Sequence, residues 1–116
     1  MQIQLNTDNN IQGDDTLAEW LETELKTKLD RFRDHVTRIE VHLSDNSAGR
    51  HGEHDIRCKL EARLAGFQPV LVSHDAAKTG EAIHGAIDKL QRTLTTTLEK
   101  VRATRGRDSV RGAEPE

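Results

Sequence analysis

The hydrophobic repeat of this chain switches back and forth between that of a strand and that of a helix, and the order of the switches allows few folds. Gln2-Ile3-Gln4-Leu5-Asn6 alternates polar and apolar residues, the pattern of a short strand with one buried face. After a turn-rich stretch from Asp8 to Asp15, Leu17, Leu21, Leu25, Leu29 and Phe32 recur at helical spacing, with Trp20 at the edge of their stripe. From Thr37 to Leu43 the period returns to two: Ile39, Val41 and Leu43 face one way, Arg38, Glu40 and His42 the other. A second alternation sets Ile56, Cys58, Leu60, Ala62 and Leu64 against Arg57, Lys59, Glu61 and Arg63. Ala65-Gly66-Phe67-Gln68 suits a hairpin connection, and Pro69 to Ser73 is a further apolar, β-branched run. The last stripe is the longest: Ile83, Ala86, Ile87, Leu90, Leu94, Leu98 and Val101.

The predicted order is therefore β-α-β-β-β-α. Strands with one wet face and two amphipathic helices bury their apolar sides together if both helices lie on one face of a four-stranded sheet, a two-layer α/β sandwich of the α+β kind. The 116 residues suit a single domain. Local signals set the expected helix ends. Thr16 and Glu19 fit a capping box, Thr79 suits the N-cap of the last helix, and the first helix is expected to fade near Asp34. Glu22–Lys26 and Glu24–Lys28 are predicted i,i+4 ion pairs, each contributing about 0.2–0.5 kcal/mol. Gly106 and the polar residues after it mark a flexible basic tail, so the domain is placed at 1–103 and the tail at 104–116.

Catalytic equipment is not evident. The chain has no phosphate-cradling G-x-x-x-x-G-K-[ST], no G-x-G-x-x-G and no G-x-S-x-G. Cys58, the single cysteine, rules out an internal disulfide and sits at an inward strand position, where thiols are inert. His51, His54 and Cys58 superficially resemble a metal set, but their spacing is not that of a closed zinc site. No apolar run approaches the ~20 residues that cross a bilayer, and residues 1–10 do not form a secretory leader. A cytoplasmic protein that is not an enzyme and uses no cofactor, metal, membrane or small-molecule substrate is expected.

Charge offers two candidate binding faces. The formal net charge is −3, yet acidic residues dominate the first half of the chain while the second half is slightly basic. Arg57, Lys59 and Arg63, with Arg38, project from the polar side of the sheet, where cross-strand pairing with Glu40 and Glu61 is the competing role. Lys26, Lys28 and Arg31 lie on the first helix and Lys89, Arg92 and Lys100 on the second, interspersed with acidic residues. Clustered cations of either set could meet phosphates. Only Trp20, Phe32 and Phe67 are aromatic, so the sheet has no platform on which bases would stack.

The segment Ala82-Ile83-His84-Gly85-Ala86-Ile87-Asp88-Lys89-Leu90-Gln91-Arg92-Thr93-Leu94 narrows the choice. It resembles the A-I-D-x-x-x-D-K-L-x-R-x-L segment of ribosome hibernation-promoting factors, also called ribosome-associated inhibitors or sigma modulation proteins. Met1–Leu5, Lys28–Phe32 with Thr37–Leu43, and Leu60–Gly66 with Gln68–Val70 resemble other parts of that family, so the likeness spans about residues 1–103. It implies the same β-α-β-β-β-α order. It also implies binding to rRNA of the small ribosomal subunit, in the channel of mRNA and tRNA, which inhibits translation and promotes ribosome hibernation under slow growth or stress. On the matching positions, Lys89 and Arg92 would contact phosphate first and Lys28 and Arg31 next. His84 departs from the family's A-I-D triplet, and the chain is less basic than is usual for such ribosome binders. The dimerisation domain of long family members is not expected here, so the protein is expected to act as a monomer. Two other readings stay open. One is a protein-binding regulator on the same fold that does not bind ribosomes. The other is a homodimer through Leu90, Leu94, Thr97 and Val101, which approximate heptad spacing.

Overall fold

The computed structural model describes residues 1–8, 15–45 and 56–110, with side chains as far as Lys100. Its elements are β1 (Gln2–Thr7), α1 (Asp15–Lys28), a 3-10 turn (Asp30–Phe32), β2 (Val36–Asp45), β3 (Ile56–Leu64), β4 (Val70–Ala76) and α2 (Thr79–Val110). The expected β-α-β-β-β-α order is thus present, as a four-stranded mixed sheet with two helices. The strands lie in sequence order, β1-β2-β3-β4. A helix separates β1 from β2, and a crossover of that kind returns the chain parallel; β2–β3 and β3–β4 are antiparallel.

The core is aliphatic and continuous. Leu21, Leu25, Leu29 and Phe32 bring the first helical stripe to Ile39, Val41, Leu43, Cys58, Leu60 and Ala62 of the sheet. Ala82, Ile83, Ala86, Ile87, Leu90 and Leu94 bring the second, and α2 lies across β3 and β4. Each fully buried Leu or Ile contributes roughly 1.5–3 kcal/mol relative to exposure, so these stripes hold the layers together. Among the described residues no charged or polar side chain is buried in that core.

Several element ends differ from those predicted. α1 stops at Lys28, and the apolar stripe continues through 3-10 geometry: Phe32 N–H donates to the Leu29 carbonyl at 2.9 Å and Arg33 N–H to that of Asp30 at 3.1 Å. The tighter turn still buries Leu29 and Phe32 while aiming the chain into β2. Thr16 lies inside the first turn of α1 rather than ahead of it. α2 begins one step earlier than a Thr79 cap implies, because Ala82 N–H already donates to the Lys78 carbonyl at 3.0 Å. The α2 backbone also runs past Gly106 to Val110. β4 extends to Ala76 because β3 supplies partners that far, in the pairs Cys58↔His74, Arg57↔Asp75 and Ile56↔Ala76.

Two glycines fit demands no other residue meets easily. Gly66, in the β3–β4 hairpin, has φ of 81°, in the left-handed region. Gly85 is where α2 approaches β4: His74 shares the inward side with Cys58, and its ring occupies the space a Cβ at 85 would need.

Candidate nucleic-acid interface

The open face of the sheet carries its charges in fixed opposition. Register places Glu40 opposite Glu61, and two arginines close around that acidic pair. Arg38 Nε lies 3.2 Å from a Glu40 oxygen; Arg63 Nη2 lies 3.5 Å from Glu61 and 3.9 Å from Glu40. Arg38 also donates to the Gln4 side chain on β1. At the other end, Arg57 donates twice to Asp75, from Nε at 2.8 Å and Nη2 at 3.1 Å. That fork holds the Asp75 carboxyl below the usual carboxylate range, chiefly through the hydrogen bond and then by the attraction of Arg57, His74 and Lys89. It holds the Arg57 guanidinium above its ordinary value in turn. Of the four cations named on this face, Lys59 makes no ion pair among the described residues.

Glu40, His42 and Glu61 could present three metal-ligating atoms within 4.8 Å of one another. Sequence inspection missed this set, since only the β2–β3 register assembles it. Its carboxylates already face Arg38, Arg63 and His42, the last at 3.5 Å from Glu40, so the arrangement reads as an ion-pair network. The set suggested by the sequence is different: His51 and His54 lie outside the described residues. Cys58 is fully buried, and burial pushes its thiol up to about 12, far from the thiolate that catalysis or metal binding needs.

The helix side is arranged otherwise. Lys26 pairs with Glu22 at 3.3 Å, as the i,i+4 spacing predicts. The second predicted pair, Glu24–Lys28, does not form. Glu24 turns toward α2, where its carboxylate lies 3.7 Å from His84 Nε2 and the Trp20 ring meets the His84 ring edge-on at 5.4 Å. Lys28 is left exposed, and its backbone carbonyl accepts a 2.9 Å bond from Gln91 of α2. That bond brings the end of α1 against the middle of α2.

Arg31 stands at this junction. It donates to Thr95 Oγ1 at 2.7 Å, and its guanidinium lies 4.6 Å from the centre of the Phe32 ring. Arg31 and Arg92 line one groove of about 540 Å³ together with Asp88, Gln91, Thr95 and Thr96. Lys89 leaves α2 on the other side, toward β4, where Nζ donates to the Ser73 carbonyl at 2.9 Å. Lys100 is exposed on the last turn whose side chains are described. Lys28, Arg31, Arg92 and Lys100 make no ion pair among the described residues. The two faces thus hold similar cations in different states: mostly paired on the sheet, mostly unpaired along the helices.

Residues 5–102 match the family described as Sigma 54 modulation protein / S30EA ribosomal protein. The chain belongs to this family. Solved structures agree on the fold. The N-terminal domain of Protein Y from Thermus thermophilus is 25% identical, covers 84% of this chain and 99% of its own, and superposes with a TM-score of 0.66. A ribosomal subunit interface protein from Coxiella burnetii has a TM-score of 0.68 at 18% identity, with 85% of this chain and 99% of that one covered. No curated protein sequence matches this S30EA-family chain. Among its described residues no helix is long and apolar enough to cross a membrane.

Proposed function

We propose that this S30EA-family protein is a cytoplasmic, ribosome-associated translation inhibitor. It binds rRNA of the small ribosomal subunit in the mRNA and tRNA channel, as a monomer, and promotes hibernation by occupying that channel. The mechanism is steric exclusion and requires no chemistry from the protein. Cations engage phosphates for affinity, and the shape of the folded domain fixes placement on structured RNA. The observation that carries this reading is the row of unpaired cations along the helix side: Lys28, Arg31, Arg92 and Lys100. A cation already matched to a carboxylate gains little from a phosphate, whereas an unmatched one releases the phosphate's counterions in full. Lys89 joins them by exchanging its Ser73 carbonyl for a phosphate oxygen.

Co-sedimentation of the purified protein with small ribosomal subunits across a salt series tests the proposal. Stoichiometric binding is expected at low salt. Affinity then falls log-linearly with salt, by roughly 0.7–0.9 in slope for each phosphate neutralised. Failure to co-sediment at any salt would sink it. A second reading, a protein-binding regulator, is favoured by the compensated sheet face, on which Leu71 is 58% exposed. Salt-insensitive capture of one protein from nuclease-treated lysate, lost on Leu71→Asp, would support that alternative.

A further inference from the structure

We propose that the groove between the 3-10 turn and α2 is a seat for one unpaired ribonucleotide. This rests on the ribosome-binding reading and specifies what that face would recognise. Arg31 divides the groove into two lobes. The first, about 540 Å³, holds Arg92, Asp88 and Thr96 beside Arg31. The second, about 300 Å³, holds His35, Leu98 and the flank of Phe32. Both volumes lie within the range of sites that hold small ligands.

The lobes differ in the way the parts of a nucleotide differ. The first is lined by two arginines without a carboxylate partner among the described residues, which suits a phosphate. Arg31 is already fixed there by Thr95 and Phe32, so little side-chain freedom is lost when an anion arrives. Asp88 lines the same lobe and, ionised, can only accept hydrogen bonds. It repels a phosphate placed beside it and favours a hydroxyl, which ribose supplies at its 2′ position. In the second lobe the exposed His35 ring and the half-buried Leu98 offer a partly apolar wall for a base, with Thr95 and Glu99 at its polar margin. A base inside a duplex is stacked on its neighbours and cannot enter. The groove therefore selects a nucleotide extruded from a loop, bulge or strand end. The residues that make it come from opposite ends of the fold and meet through the bonds from Arg31 to Thr95 and from Gln91 to the Lys28 carbonyl.

The test is an NMR titration of the full chain with AMP, GMP, CMP and UMP, their 2′-deoxy counterparts, and inorganic phosphate, each into the millimolar range. Saturable shifts are expected at amides in residues 31–35 and 88–98. Ribonucleotides should bind about three- to tenfold more tightly than deoxynucleotides, the net worth of one hydrogen bond at an exposed site. Arg92→Ala should weaken binding about tenfold, and Asp88→Ala should erase the preference for ribose. Both residues are exposed, so both variants should fold. The proposal is overturned if no ligand saturates these amides, if phosphate alone binds as tightly as the nucleotides, or if the shifts map to the sheet face. Subunit co-sedimentation of the same preparation separates the two readings. Subunit binding without a saturable groove removes the nucleotide seat and leaves the ribosome factor standing. A saturable groove in a protein that does not co-sediment keeps the seat and removes the ribosome factor.

Discussion

The two polar surfaces of this protein carry comparable basic side chains and treat them in opposite ways. On the sheet, register places Arg38, Glu40, Glu61 and Arg63 in one cluster and joins Arg57 to Asp75 across β3 and β4. On the helix side Lys26 keeps its Glu22, but Glu24, which spacing would pair with Lys28, turns to His84, and Lys28, Arg31, Arg92 and Lys100 make no ion pair among the described residues. The difference teaches that a count of arginines does not locate a nucleic-acid surface. What matters is how many cations the fold leaves without a carboxylate at contact distance, free to take a phosphate instead.

The sharpest break of this contrast is charge reversal on each face in turn. Lys28→Glu with Arg92→Glu should lower small-subunit affinity on the order of 100-fold at ~0.1 M salt, whereas Arg57→Glu with Arg63→Glu should cost less than about threefold. Co-sedimentation isotherms of the two double variants decide the matter, and the reverse ranking would move the RNA surface to the sheet. Next in size is an effect on the join between the layers. Gly85→Ala should destabilise the fold by about 1–3 kcal/mol in urea denaturation, because the new methyl group displaces the His74 ring, even though alanine favours helix. Adding His74→Ala should return most of that loss, and a double variant no better than the single one would show that the approach of α2 to β4 is set by other contacts.

Glu40→Gln should sharpen the comparison by releasing Arg38, while Arg63 keeps its pair with Glu61. Stability should change by less than about 1 kcal/mol, since these are surface pairs. The salt slope for a non-specific single-stranded RNA should steepen by about one, read by fluorescence anisotropy. An unchanged slope would mean that the released guanidinium finds a new partner on the protein. Smallest is the contribution of Arg57–Asp75. The folded Asp75 gives up its proton more readily than the unfolded one, so its contribution is present above the ordinary carboxylate pKa near 4 and is lost as pH falls through the lower folded value. Asp75→Asn should flatten the acid limb of the stability–pH curve slightly and leave neutral pH almost unchanged, which thermal melts at stepped pH would detect.

The fold was readable because period and order are local properties. Ile39, Val41 and Leu43, or Leu21 and Leu25, announce their element and buried side without knowledge of any partner. Resemblance in the segment 82–94 pointed to the family that residues 5–102 match. What the sequence concealed depends on pairs distant along the chain. The Glu40–Glu61 pair exists only in the observed register, and β4 reaches Ala76 only because β3 offers partners there. Spacing alone predicted Glu24–Lys28, but Glu24 meets His84 of the other helix, beside the Trp20–His84 contact. Arg31 and Arg92 were both named as candidates, yet their shared groove is formed by tertiary packing between the 3-10 turn and α2.

The bond from Lys89 to the Ser73 carbonyl has a consequence for how these molecules tolerate one another. β4 is one of the two outer strands of the sheet, and an unguarded outer strand is a template on which a second chain can add by backbone hydrogen bonding. An ammonium seated on one of its carbonyls places a hydrated charge along that margin, beside Asp75, which an incoming strand would have to displace. The sheet is thereby discouraged from growing sideways into fibres, because an added strand would first have to strip that ammonium from its carbonyl.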